Sequence, residues 1–225
     1  ALRVIVDHIR AIAFAILDGV TPGNVGRGYV IRRILRRAVR YGYQTLGLRK
    51  PFLHALLPAL IEAMGDAFPE LDEKQSYLEK VIRSEEESFL ETLQSGIELF
   101  DSYVNIVRWI VEVIDDSEAE EGKIPDFEFS QANLQLEYFK KEIRNKKGWD
   151  VLQKASGSLS DEEIISQITQ RAREEVFSGA VAFLLHDTYG FPIDLTQLMA
   201  REEGLTVDME GYEQLMQRQK ERARA

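Results

Sequence analysis

The side chains with the most chemistry to offer fall in two places. The first is a glycine turn leading into an arginine ladder: Gly23-Asn24-Val25-Gly26-Arg27-Gly28-Tyr29, followed by Arg32, Arg33, Arg36, Arg37 and Arg40. Guanidinium groups stacked on one helical face bind successive phosphates, and each neutralisation releases counterions. A Gly-rich turn at a helix N-terminus offers backbone N–H groups to the same kind of anion. The second place is Asp187-Thr188-Tyr189-Gly190-Phe191-Pro192, a shaped turn whose carboxylate can accept from a base amino group. Each has a plainer account. The ladder can be a solvated face paired with the acidic remainder of the protein. Asp187 can cap a turn while Tyr189 and Phe191 pack. The glycine turn is not a P-loop, because Gly23-x-x-Gly26-x-Gly28 lacks the Lys-Ser/Thr ending and no strand clearly precedes it.

Charge distribution sharpens the first reading. The 225-residue chain carries a formal net charge of -10, yet residues 1–50 hold ten Lys/Arg against Asp7 and Asp18. That segment is therefore +8 and the remainder -18. Solvated faces usually mix signs, and this one does not. A cationic helix in an acidic protein points to an anionic partner, with nucleic acid the first candidate.

Several other chemistries are set aside. With no cysteine there is neither a disulfide nor a thiolate zinc site, which fits a reducing compartment. His8, His54 and His186 are far apart and share no ligand spacing, so no metal site is expected. Ser and His form no nucleophile motif, so no catalytic residues are assigned. No apolar run approaches the ~20 residues that span a bilayer, so no membrane partner is expected. The first residues, Ala1-Leu2-Arg3, begin inside a helical pattern, as expected of a piece of something longer.

These residues need helices to position them. Ile5, Ile9, Ile12, Ala13 and Ile16 predict a first helix over residues 3–17. Asp18-Gly19 ends it, and Thr21-Pro22-Gly23 is a turn. Val30, Ile31, Ile34, Leu35, Ala38 and Val39 predict a second helix over 28–45, with the arginines along its other side. Residues 51–64 read as a short helix that Pro58 can kink. A long helix over 72–103 is expected to bury Tyr77, Val81, Phe89, Leu93, Ile97 and Phe100, with Glu85, Glu86 and Glu87 on its wet face. Residues 105–114 suit either a strand or a helix continuation, 115–122 an acidic loop, and 131–147 an amphipathic, Lys-rich stretch. Ser160-Asp161-Glu162-Glu163 is a capping box. Helices follow over 178–185 and 193–203, and Asp208 caps a last one to residue 224. The fold class is mostly α, with at most a small β element inside an inserted segment.

Two long stretches carry a family resemblance. Asp7 to Phe14 with Asp18-Gly19-Val20, then Gly26 to Ala38, resembles the alanyl-tRNA synthetase family just after its aminoacylation core. So does His186 to Thr196 with Glu203-Gly204-Leu205, in the matching order. The resemblance covers about 1–103 and 171–225 and implies a helical, bundle-like tRNA-recognition domain. Residues 104–170 are longer than the family's usual connection. They form either an accessory segment touching tRNA through Lys140, Lys141, Lys146 and Lys147 or a surface ornament. The family's members are class II ligases that charge tRNA with alanine using ATP and Mg²⁺. The resemblance implies that ATP and Mg²⁺ belong to an aminoacylation domain upstream of this region, that an editing domain lies downstream, and that the setting is cytoplasmic. It implies no cofactor within this region itself. The implied partner is the acceptor stem of alanine tRNA, identified by a G·U wobble pair. The family's turn Asn and D-T-Y-G-F-P Asp correspond to Asn24 and Asp187, which would read that pair. Arg27, Arg32, Arg33, Arg36, Arg37 and Arg40 would hold phosphates. The competing expectation is a helical protein-interaction module whose basic helix docks an acidic partner or the chain's own acidic half.

Overall fold

The computed structural model describes residues 2–119, 141, 143–145, 147–157 and 159–224. Its packing divides the chain into two units, Ala1–Gln94 and Ser95–Ala225, with the boundary inside a long helix. The architecture is mostly α, with one two-stranded parallel sheet among the described residues. No helix among them is long and apolar enough to cross a membrane.

In the first unit, helix α1 (Leu2–Leu17) buries Ile5, Ile9, Ile12, Ala13 and Ile16, the five residues that its period marks. It packs on α2 (Gly26–Leu46), whose buried side is Ile31, Leu35, Ala38, Val39, Arg40 and Gly42. Val30, expected inward, is 41% exposed, because the stripe that meets α1 runs through 31, 35, 38 and 42 and leaves residue 30 on its flank. A 3-10 turn (His54–Leu56) leads into α3 (Leu57–Met64). Pro58 does not kink that helix; it stands in the first turn, where a missing N–H costs nothing. Phe68 meets Phe14 edge-on at 4.9 Å, ahead of the short α4 (Glu70–Glu73).

Helix α5 (Gln75–Ala119) is continuous over 45 residues. Residues 105–114 are therefore helical rather than a strand. Tyr103, Val107 and Ile110 are buried at spacings of four and three, and this period outweighs the weak strand preference of their β-branched neighbours. Residues 115–119 of the expected acidic loop continue the helix, and 120–122 lie outside the described residues. The buried register of the first part is Leu78, Ile82, Glu85, Glu86, Phe89 and Leu93, not Tyr77 and Val81. Tyr77 is 48% exposed, one position off the stripe.

The second unit contains α6 (Trp149–Ser156), α7 (Asp161–Arg173), β1 (Val176–Phe177), α8 (Gly179–Asp187), α9 (Ile193–Glu202), β2 (Thr206–Val207) and α10 (Met209–Arg224). Ser160 and Glu163 close a capping box, the Ser160 N–H donating to Glu163 Oε2 at 2.7 Å. Asp208 Oδ1 accepts from the Gly211 N–H at 3.0 Å and caps α10. The β element lies at 176–177 and 206–207 rather than at 105–114, with Val176 paired to Thr206 and Phe177 to Val207. Tyr103 supports it: its buried hydroxyl donates to the Val176 carbonyl at 2.9 Å, and its ring lies 4.8 Å from that of Phe177. Helix α8 is apolar nearly all round, burying Val181, Ala182, Phe183, Leu184 and Leu185, as a helix inside a core must.

Candidate nucleic-acid interface

The glycine turn is shaped by a close approach of backbone. The Gly23 N–H donates to the Gly28 carbonyl at 3.0 Å. A Cβ at Gly28 would stand 2.6 Å from the Thr21 carbonyl oxygen, so only glycine fits there. Helix α2 then begins at Gly26, behind an extended Val25 whose side chain makes no cap. No side chain at the N-cap position satisfies its first-turn N–H groups, which stand at the positive end of the helix dipole.

Asn24 is exposed in this turn, and its Oδ1 accepts from Arg32 Nη1. The same guanidinium donates through Nη2 to Glu85 Oε2 at 3.0 Å. Arg36 grips the other oxygen of Glu85, with Nε at 2.8 Å and Nη2 at 2.6 Å. It also lies 5.0 Å above the Phe89 ring. Burial pulls the Arg36 guanidinium below its ordinary value, and Glu85 opposes that pull. Glu85 is only 9% exposed, so the expectation of a wet face over residues 85–87 is corrected. Glu86 is fully buried, and its carboxylate accepts from the Phe52 N–H at 2.7 Å and the Leu53 N–H at 3.2 Å. Glu87 alone is on the surface, paired with Arg83.

The ladder thus sorts into kinds. Arg32 and Arg36 share one carboxylate. Arg40 is buried and donates through Nε to Gln44. Arg37 is half-buried; its Nε finds no acceptor among the described residues, and its charge helps burial to hold His8 below the ordinary histidine value. Arg33 is half-buried and Arg27 exposed.

Asp187 belongs to the second unit as the last residue of α8. The helix closes behind it through backbone bonds, Thr188 N–H to Leu184 O and Phe191 N–H to Leu185 O, both 2.9 Å, with Gly190 at φ +70. Tyr189 and Phe191 are buried and anchor the turn, Phe191 packing against Gly96. Asp187 caps no backbone N–H among the described residues; its Oδ1 accepts from Gln219 of α10. A carboxylate at a helix C-terminus opposes the dipole, at a cost of roughly 0.3–1 kcal/mol. Helix stability therefore does not explain this aspartate.

Asp187 is held by Gln219, whereas Asn24 is held by Arg32 of the ladder, and Arg32 in turn by Glu85. Gln219 left no signal in the sequence. Glu85 did, because it continues the 78, 82, 89, 93 stripe and a charge on a buried stripe needs a partner. Of the lysines in the 104–170 segment, Lys141 and Lys147 are exposed, while Lys140 and Lys146 lie outside the described residues.

The family model for tRNA synthetases of class II (A) matches residues 1–119 and 156–225. The chain is 55% identical over its whole length to an alanine–tRNA ligase of Salinibacter ruber, of which it covers 22%. It is 40% identical over its whole length to that of Paracidovorax citrulli, covering 24%, and 43% identical to that of Parabacteroides distasonis, covering 19%. The chain therefore spans about a fifth to a quarter of the length of the curated relatives it matches.

Proposed function

This chain belongs to the tRNA synthetases of class II (A), and on that footing we propose that it is the tRNA-recognition part of an alanine–tRNA ligase. It binds the acceptor stem of alanine tRNA and reads a G·U wobble pair. The ATP- and Mg²⁺-dependent alanylation belongs to an aminoacylation domain elsewhere in the same protein, alongside an editing domain, in the cytoplasm.

The observation that carries this reading is the placement of Asn24, exposed in a turn that leads into a helix carrying six arginines between residues 27 and 40 and no acidic residue. Side chains cannot enter the deep major groove of A-form RNA, so the shallow minor groove is the readable side. A wobble pair leaves the guanine 2-amino group there without its usual partner. The Asp187 carboxylate accepts that N–H, and the Asn24 amide supplies a donor. Arginines position the duplex on its phosphates while the two short side chains specify. Among them Arg27 is the most exposed, and Arg33 and Arg37 reach the surface in part. Arg32 and Arg36 already hold Glu85, so the basic helix also docks the acidic part of its own unit.

The test is binding of the 225-residue chain to acceptor-stem minihelices carrying G·U or G·C at one position. A preference for G·U is expected. Asn24→Ala and Asp187→Ala should each abolish the preference while retaining most of the salt-dependent affinity. Equal affinity of the unmodified chain for both stems would sink the readout.

A further inference from the structure

Three groups of the first unit form one continuous relay. Glu85 Oε2 receives Arg32 Nη2 at 3.0 Å, and Arg32 Nη1 donates to Asn24 Oδ1. Glu85 Oε1 is at the same time held by Arg36. A carboxamide has two ends, an acceptor oxygen and a donor NH₂. Among the described residues the Asn24 amide bonds to Arg32 alone, so the choice between the two orientations, which differ by a half-turn of the amide, falls to that contact. A guanidinium is donor-only, so a fixed Arg32 selects the orientation with oxygen inward. Arg32 is itself a long, rotamer-rich side chain, and Glu85 holds it in place from a nearly buried position on α5.

We propose that Glu85 and Arg32 are positioning residues that fix the Asn24 amide with its NH₂ presented to the RNA. Asn24 then acts as a donor alone, complementary to minor-groove acceptors such as a base carbonyl or a 2′-hydroxyl, and not to the guanine amino group. The role given to Arg32 changes with this: it orients the reader rather than clamping a phosphate. The fork geometry matters, since two N–H bonds to different acceptors need the planar guanidinium and not a point charge. This inference rests on the proposed readout for its consequence, but the relay can be tested without RNA.

Two variants separate the possibilities. Glu85→Gln puts a donor NH₂ in place of one of the two oxygens, which face different guanidiniums, so one of the two pairings is lost. Arg32→Lys keeps the charge and removes the fork. The first measurement is ¹⁵N relaxation of the Asn24 side-chain NH₂ in the RNA-free chain. A rigid amide is expected in the unmodified protein, falling in both variants to an order parameter below about 0.6. An amide equally rigid in all three overturns the relay. The second measurement is the G·U to G·C affinity ratio with its salt dependence. Glu85→Gln removes one negative charge beside two arginines, so it should bind both stems more tightly, with a salt slope steeper by about 1, and yet lose the preference. Damage to the fold would instead weaken both stems. Arg32→Lys should keep the general affinity and lose the preference. A preference retained in both variants refutes the positioning role. An unmodified chain with no preference refutes the wobble readout instead, and the amide relaxation then decides the relay.

Discussion

Replacing Glu86 tests how the first unit holds the segment between α2 and α3. The carboxylate is fully buried, accepts the Phe52 N–H at 2.7 Å and the Leu53 N–H at 3.2 Å, and faces His54 Nδ1 at 3.6 Å. Glu86→Leu keeps the volume and orphans both N–H groups. At about 1–3 kcal/mol for each unsatisfied buried donor, the loss is about 2–6 kcal/mol, a large fraction of the roughly 5–15 kcal/mol that holds an ordinary domain together. Glu86→Gln retains an oxygen for the two donors and removes the cost of burying a charge, so its stability at pH 7 should fall within about 1 kcal/mol of the unmodified chain. The pH profile adds a sign. Burial raises the Glu86 carboxyl above its ordinary value of 4.5, and the hydrogen bonds from Phe52 and Leu53 only partly oppose this. The folded state thus binds the proton more tightly than the unfolded chain. Its contribution is complete below about pH 4.5 and declines as pH rises through the higher folded value. Glu86→Gln should remove that decline. Both tryptophans, Trp109 and Trp149, lie in the second unit, so fluorescence does not report on this one. Amide exchange at Phe52 and Leu53, followed by NMR between pH 4 and 8, does. A loss of several kcal/mol in Glu86→Gln, or a pH profile identical to that of the unmodified chain, would refute the reasoning.

Two further substitutions bear on the site and its support. Gly28→Ala places a Cβ 2.6 Å from the Thr21 carbonyl; we expect a loss of about 1–3 kcal/mol in thermal unfolding and a weaker G·U preference, because the turn that carries Asn24 must move. Normal stability together with normal preference would show that the turn yields cheaply. Tyr103→Phe removes the 2.9 Å hydrogen bond to the Val176 carbonyl and should cost about 0.5–1.5 kcal/mol in urea unfolding followed by tryptophan fluorescence. Burial also raises the Tyr103 phenol, so alkaline absorbance titration of the unmodified chain should show a late-ionising tyrosine that the variant lacks.

Much of this was legible in the chain itself. The period of Ile5, Ile9, Ile12, Ala13 and Ile16, the Ser160–Glu163 capping box and the Asp208 cap are interactions between residues a few positions apart, and local rules capture them. The change from turn to basic helix at Gly23–Arg40 was equally plain. In the first part of α5 a repeat of four lines Tyr77 and Val81 up with Phe89, but at 3.6 residues per turn Leu78 and Ile82 share its side, and these are the buried ones. Residues 105–114 were ambiguous for the reason that β-branched runs usually are: strand preference and helical period gave opposite answers, and packing along 103, 107 and 110 settled it.

The sequence alone determined a helical protein with one cationic helix, two shaped turns and the family to which they belong. Only the tertiary structure decided what each charge touches. Glu85 lies 49 and 53 residues from the arginines it holds, Glu86 lies 34 and 33 from the N–H groups it covers, and Gln219 lies 32 from Asp187. A helix period says which face a residue is on, but not which side chain of another element it meets. Burial makes the difference decisive. In water, Arg32 would be one more phosphate contact; against a nearly buried Glu85 it becomes a fixed fork that orients Asn24.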